Sequence, residues 1–187
     1  KWWGIEQYGV TPDVITSAKG LANGLPIGLT AARPEVADRV KGLTISTFGG
    51  GPIPTTAAKA VIDFIEEQNL TANVADVGGY LRGRLDELKD KYPLIGDVRG
   101  KGLMLGLELV KDRATKEPAP QEAVRVMEAA RDQRILIGKG GISGNVVRVS
   151  PPLNISRSDV DEFIKRFDAA FATVSPTALR DRPRVHV

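Results

Sequence analysis

The sequence predicts a mixed α/β protein. Short runs of β-branched and aliphatic residues alternate with longer segments in which apolar residues recur every three or four positions, the spacing of an amphipathic helix. The adjacent residues Val14 and Ile15 predict a short buried strand with apolar neighbours on both faces. Open α/β sheets bind ligands at the carboxyl ends of their strands, and Lys19 follows this strand.

The composition excludes several classes of function. The chain has 187 residues, an apolar fraction of 42% and a net charge of +3 with acidic and basic residues interspersed, so no basic stripe indicates nucleic-acid binding. The absence of cysteine excludes a disulfide framework, thiolate catalysis and cysteine-ligated zinc. The single histidine, His186, cannot build a Ser-His or metal-His constellation, so we expect no metal.

No apolar run in the sequence reaches the length of a membrane span, and no signal sequence is visible. We therefore expect no membrane association. The predicted location is cytoplasmic, or an organelle lumen reached through a leader that has been removed.

The first part of the chain carries two predicted strands and two predicted helices. A second short strand lies near residues 27–31, and a short helix begins at Pro34, a residue suited to the first helical position, and reaches Val40. After a loop at 44–51, Pro52 and Pro54 lead into a helix that reaches about Gln68. Its predicted buried stripe consists of Ala57, Val61, Phe64 and Ile65.

The next helix, over residues 74–91, has the clearest helical pattern in the chain, with Thr71 and Asn73 as candidate caps. Gly78 and Gly79 lower helix propensity within it, which indicates close packing against another backbone. The buried stripe consists of Val74, Val77, Leu81, Leu85 and Leu88.

Strands and helices alternate again in the remainder. Strands are predicted at 95–99 and 103–110 around a glycine turn at 100–102, and at 135–137 and 146–149. Between these pairs lie an exposed loop at 111–120 and a helix at 121–133. The last helix begins at Ser156, with Asp159 placed for a variant capping box. Its buried stripe consists of Val160, Phe163, Ile164, Phe167, Ala170, Phe171 and Val174.

Lys19 is the first candidate for chemistry. Partial desolvation at a strand end favours the neutral amine, which is the nucleophile in Schiff-base formation. Gly20 and Gly24 behind it allow the backbone to approach a ligand closely. The alternative is an ordinary surface lysine whose alkyl stem covers apolar neighbours.

Thr47 and Arg148 are the other candidates. The Thr47 hydroxyl stands beside a run of small residues, where side chain and backbone amides can converge on a phosphate. Arg148 interrupts an apolar strand, and its planar fork matches a carboxylate. The alternatives are a turn threonine beside a glycine-rich bend and a structural salt bridge on a sheet face.

Residues 138–144 do not fit a nucleotide-binding or a nucleophile-elbow motif. Ser143 occupies the third glycine position of G-x-G-x-x-G, and Asn145 occupies the last glycine position of G-x-S-x-G. The segment also leads into a strand instead of a helix. We interpret it as a hairpin loop near the mouth of the active site.

Three segments in order, residues 12–28 (PDVITSAKGLANGLPIG), 46–52 (STFGGGP) and 145–153 (NVVRVSPPL), resemble the pyridoxal-phosphate-dependent class III aminotransferases. The family includes 4-aminobutyrate, ornithine and alanine–glyoxylate aminotransferases, and the resemblance extends to about residue 174. It implies the fold type I of pyridoxal-phosphate enzymes. Residues 1–73 would be the C-terminal part of the large domain, 74–175 the small α+β domain with its connecting helix, and 176–187 a loose tail.

The resemblance also implies a cofactor, site residues and partners. Lys19 would bind pyridoxal 5'-phosphate and carry protons in transamination between an amino-acid or amine donor and a 2-oxo acid. Thr47 with Ser46 would contact the cofactor phosphate, Thr47 in the other subunit of a homodimer or dimer of dimers. Arg148 would hold the substrate carboxylate. Gly51 stands where many relatives carry asparagine.

The resemblance further implies that the chain opens in mid-protein, because residues 2–10 resemble the segment that follows the cofactor's aspartate motif. The isolated chain is therefore expected to be an inactive fragment. Two alternatives stay open: an epimerase, aminomutase or decarboxylase on the same scaffold, and a non-catalytic fragment with an incomplete site.

Overall fold

A computed structural model describes residues 1–175, and they form a mixed α/β fold with antiparallel sheets, which confirms the predicted class. The chain divides into two compact units, Lys1–Thr71 and a second that begins at Ala72. The large- and small-domain assignment stays a prediction, and the predicted loose tail at 176–187 lies outside the described residues.

The first unit contains a small antiparallel sheet. Strand β1 (Val14–Ala18) pairs with β2 (Gly28–Ala32), and a 3₁₀ turn at Lys19–Ala22 follows β1. The expectation of a buried strand is wrong for these residues, since Val14 is 45% exposed and Ile15 half-buried. A hairpin of two strands cannot cover its own faces.

Two helices follow this hairpin. Helix α1 (Pro34–Ala37) is shorter than predicted, because the N–H groups of Arg39 and Val40 bond to carbonyls three residues back instead of four. Helix α2 (Pro52–Glu67) agrees with its prediction and packs against the 3₁₀ turn that contains the buried Ala22. Its predicted stripe is only partly covered, and Phe64 is half exposed.

Helix α3 (Leu70–Lys91) begins earlier than predicted, so Thr71 and Asn73 lie inside its first turns and are not its caps. The side-chain amide of Asn73 donates instead to the carbonyl oxygens of Leu153 (2.8 Å) and Ile155 (3.1 Å). Asn73 therefore fixes the backbone of residues 153–155 against the start of the helix.

The second unit is built on a four-stranded antiparallel sheet of β3 (Ile95–Lys101), β4 (Met104–Leu109), β5 (Gly138–Gly140) and β6 (Val146–Val149), in the order β3-β4-β6-β5. The predicted strand at 135–137 is wrong, and β5 takes its place three residues later. Gly141 and Gly144, both at positive φ, form the turn that fixes the pairing of Gly140 with Val146.

Three helices complete the core of this unit. The inner face of the sheet shares one apolar cluster with α3, α4 (Pro120–Asp132) and α5 (Arg157–Val174). The predicted stripes of α3 and α5 are confirmed. The capping box is confirmed too, since the Asp159 N–H donates to Ser156 Oγ and the Ser156 N–H donates to Asp159 Oδ2. Within residues 1–175, no helix is long and apolar enough to cross a membrane.

Candidate active site

Lys19 is the first residue after β1, and its backbone is unusual. Its φ of 55° lies in the left-handed region, and Asn23 at the end of the same 3₁₀ turn has a φ of 46°. Non-glycine residues adopt this conformation at a cost of order 1–3 kcal/mol, and such residues concentrate at functional sites. The turn therefore holds Lys19 in a conformation that its own preferences do not favour.

Lys19 is an exposed residue, so the burial expected from the sequence is not observed among residues 1–175. The physical reason is the same as for β1. Every residue of β2 is exposed, as are Val14, Thr16 and Ala18 of β1, and Lys19, which follows β1, shares that exposure.

Ser46 and Thr47 lie in the loop that leads into α2. The loop is tightened by hydrogen bonds from the Gly49 N–H to the Ser46 carbonyl (3.0 Å) and from the Gly51 N–H to the Phe48 carbonyl (3.3 Å). Both hydroxyls are exposed, and neither has a hydrogen-bond partner in the described part of the chain. They are thus available to an external acceptor.

The start of α2 adds little to this set of donors. Pro52 and Pro54 have no N–H, so Ile53 alone among the first three helical residues can donate to a ligand. An anion in this loop would therefore depend on the hydroxyls of Ser46 and Thr47 more than on the helix terminus. Because α2 also packs against the turn that begins with Lys19, it links the two elements that carry the candidates.

Arg148 lies on β6 with the alternation that the sequence predicts. Val147 and Val149 are buried, whereas Arg148 is exposed on the opposite face of the sheet. Its cross-strand partners on both sides are glycines, Gly106 on β4 and Gly138 on β5. The alternative of a sheet-face salt bridge is not formed, since the Arg148 guanidinium has no ion pair among residues 1–175.

A second arginine on this face is paired. Arg99 on β3 is opposite Gly106, and its guanidinium contacts Asp97 (3.2 Å) and Glu108. The hydrogen bond to Glu108, with further support from Asp97, raises the pKa of Arg99 above its ordinary value. Sequence reasoning missed this pair, although the alternation of Asp97 with Arg99 and of Gly106 with Glu108 places all four on one face.

Ser46, Thr47 and the turn that contains Lys19 lie in the first unit, and Arg148 lies in the second.

The hairpin interpretation of residues 138–144 agrees with the structure, although the first three of these residues are strand β5. Among residues 1–175, no three acidic or histidine side chains form a group that could hold a metal ion.

The sequence profile of the family "Aminotransferase class-III" matches residues 1–171. The chain therefore belongs to the class III aminotransferases. Its fold is that of the pyridoxal-phosphate-dependent transaminases, as the sequence predicts.

Two curated relatives and one solved structure illustrate the similarity. The chain is 45% identical over 168 residues to "Alanine--glyoxylate aminotransferase 2 homolog 2, mitochondrial" of Arabidopsis thaliana, covering 89% of this chain and 35% of that protein. It is 43% identical over 182 residues to a leucine/methionine racemase of Thermococcus litoralis, covering 97% and 41%. An amine transaminase from an uncultivated Pseudomonas species, solved in its PLP-bound form, matches with a TM-score of 0.83 at 33% identity, covering 91% and 40%.

Proposed function

We propose that this chain is the C-terminal part of a pyridoxal-phosphate-dependent aminotransferase that moves an amino group from an amino-acid or amine donor to a 2-oxo acid. The chain spans 35% and 41% of the two curated relatives, which supports its being part of a longer enzyme. The observation that carries the proposal is Lys19, a lysine held at positive φ directly after β1 in a chain of this family.

The side chains of the first unit fit the cofactor chemically. Pyridoxal phosphate carries an aldehyde and a phosphate, and the unit offers an exposed amine at Lys19 and unpartnered hydroxyls at Ser46 and Thr47. When bound, the cofactor supplies an electron sink for the bond that breaks at the substrate Cα. Lys19 Nζ would take the proton from this Cα and return it during transfer.

Arg148 is the proposed anchor for the carboxylate that amino acids and 2-oxo acids share. A guanidinium binds a carboxylate through two parallel charge-assisted hydrogen bonds. Arg148 has no carboxylate partner in the described residues, so binding such a substrate would not require breaking a salt bridge within them.

A homodimer is part of the proposal, with Thr47 donating to the phosphate of the partner's cofactor. The exposed position of the Thr47 hydroxyl supports a contact outside its own loop.

A cytoplasmic location of the protein is also a proposal. Cell fractionation would test it, since the Arabidopsis relative is named as mitochondrial.

Racemisation is a second candidate, favoured by the 43% identity to a leucine/methionine racemase. Both reactions begin with removal of the Cα proton, and they differ in the later steps. A racemase returns the proton to Cα on the opposite face, whereas an aminotransferase leaves the amino group on the cofactor for a 2-oxo acid.

The test is an assay of the natural protein that carries this chain, with an L-amino acid in the presence and absence of pyruvate. Transamination predicts repeated turnover to alanine and a new 2-oxo acid only when pyruvate is present, at most one equivalent of the 2-oxo acid per cofactor without it, and no turnover by Lys19→Ala. Formation of the D-enantiomer without pyruvate would replace this proposal by racemisation. The isolated 187-residue chain is expected to be inactive, and turnover by it would contradict its being a fragment.

A further inference from the structure

Arg148 does not project freely from the sheet. A Cβ placed on Gly138 would lie 3.2 Å from Nη2 and 3.4 Å from Nε of Arg148, and one placed on Gly140 would lie 3.3 Å from Arg148 Cδ. The arginine side chain therefore lies along β5, so close that a methyl group at either position would force it to shift by a few tenths of an ångström.

Backbone conformation does not explain these two glycines. Gly141 and Gly144 in the adjoining turn have positive φ and need glycine, but Gly138 and Gly140 do not. Glycine within a strand weakens it, because it has no side chain to pack and loses more entropy on folding. Room for Arg148 is the feature that the two positions share.

The other side of Arg148 explains why its direction matters. Glu108 on β4 is opposite Val146, which makes it a diagonal neighbour of Arg148 on the same face. A long side chain spans a diagonal of this kind. Glu108 is, however, held by Arg99, and its other oxygen accepts a 3.5 Å contact from Asn145 Nδ2. Arg148 lies toward β5 and away from this competing carboxylate.

We propose that Gly138 and Gly140 are positioning residues for Arg148. By leaving the surface of β5 open, they keep the guanidinium away from Glu108 and available to the substrate carboxylate, and so set the preference for carboxylate-bearing acceptors. This inference rests on the function proposed above for Arg148.

The test uses the natural protein with bound cofactor and two acceptors, pyruvate and a simple aldehyde that has no carboxylate. Gly138→Ala should raise the KM for pyruvate, and Gly138→Val should raise it further, on the order of 10-fold or more. The KM for the aldehyde should stay unchanged. Gly106→Ala is the control, since it flanks Arg148 on the other side and its methyl would meet Val146 Cγ1 at 3.1 Å instead of Arg148.

Two further measurements separate positioning from a general effect on folding. The affinity for propionate, an unreactive carboxylate, should fall in Gly138→Ala by the same factor as pyruvate binding. In an Arg148→Ala background, Gly138→Ala should have no further effect on pyruvate.

An equal loss with both acceptors, or a loss that persists without Arg148, would overturn the inference. If Arg148→Ala is selective against pyruvate while Gly138→Ala and Gly138→Val are silent, only the positioning role is wrong. If Arg148→Ala impairs the reactions with pyruvate and with the aldehyde equally, the proposed function of Arg148 is wrong, and this inference is wrong as well.

Discussion

Gly78 of helix α3 lies directly against the backbone of Gly102, in the turn between β3 and β4. A Cβ on Gly78 would lie 2.6 Å from the carbonyl carbon of Gly102, and one on Gly102 would lie 2.6 Å from Val74 Cγ1. Real Cβ atoms do not approach other atoms so closely, so the helix and the hairpin meet at a distance that only glycine allows.

Replacing Gly78 or Gly79, which are adjacent in α3, by alanine should change the free energy of unfolding in opposite directions. Gly78→Ala forces the helix away from the hairpin and should destabilise the protein by about 1–3 kcal/mol. Gly79→Ala has open space around its new methyl and should stabilise by up to about 1 kcal/mol through helix propensity. Urea unfolding of the two variants measures both effects, and changes of the same sign would contradict the packing described here.

Tyr92 predicts a pH dependence of stability at the alkaline end. Its ring is fully buried and stacks on Phe171 at 5.4 Å, and its hydroxyl donates to Asp168 Oδ1 at 2.6 Å. Burial, with a further contribution from Asp168, raises the pKa of Tyr92. A raised pKa favours the protonated form in the folded state, so this stabilisation is full below the unfolded pKa of about 10 and decreases as the pH rises toward the folded pKa.

Tyr92→Phe keeps the ring and removes the hydroxyl, and should lower the free energy of unfolding by about 1 kcal/mol at pH 7. The difference from the wild type should narrow above a pH of about 10. Denaturant titrations from neutral pH to about pH 11 test this, and a gap that stays constant over the range would show that Tyr92 does not titrate with folding.

Thr47→Val should weaken retention of pyridoxal phosphate, because it keeps the shape of the side chain and removes the hydroxyl. A hydrogen bond to a charged group contributes about 1.5–3 kcal/mol, which corresponds to about 10- to 150-fold in affinity. Thr44→Val in the same exposed loop is the matched control. If both variants bind the cofactor with equal affinity, Thr47 does not bind its phosphate.

The cross-subunit contact of Thr47 has its own test. When Thr47→Val protein is mixed with Lys19→Ala protein, each mixed dimer should contain one site with both residues intact. Recovery of activity on mixing is expected. Failure to recover, with subunit exchange demonstrated, would place the Thr47 contact within its own subunit.

Arg148→Ala should slow the reaction with a 2-oxo acid by roughly 10²-fold, since about 3 kcal/mol of charge-assisted bonding is lost. Arg148→Lys keeps the charge but not the bidentate geometry, and should also be impaired. A simple aldehyde acceptor should be affected far less. Single-turnover rates that fall by one factor with both acceptors would make Arg148 structural.

The second unit was the more predictable from sequence because its helices carry complete stripes. Leu81 and Leu85 on α3, and Phe163 and Phe167 on α5, recur at helical spacing, and each packs into the apolar cluster of the same unit. The prediction of a strand at 135–137 was wrong because an apolar sequence does not determine which residues pair with a neighbouring strand. Leu136 is 90% exposed, and the register follows from the glycine turn at 141–144.

The elements that carry the candidate residues were predictable from the sequence, whereas the surroundings of these residues were not, and their roles stay predictions. Lys19, Thr47 and Arg148 lie on the elements that the sequence assigned to them, a strand end, a loop before a helix and a strand. The exposure of Lys19 was not predictable from the sequence, because it depends on which residues cover strand β1. The role of Gly138 was missed because glycine in a strand signals only a local weakness until its neighbour is known.

Covalent binding of pyridoxal phosphate by Lys19 is the central claim about this protein. The most direct measurement is borohydride reduction of the natural protein after loading with the cofactor, followed by protease digestion and peptide mapping. We expect a pyridoxyl label on Lys19 and none in Lys19→Ala. A label on Lys101 or Lys139 instead, or no label on a protein that turns over, would contradict the claim.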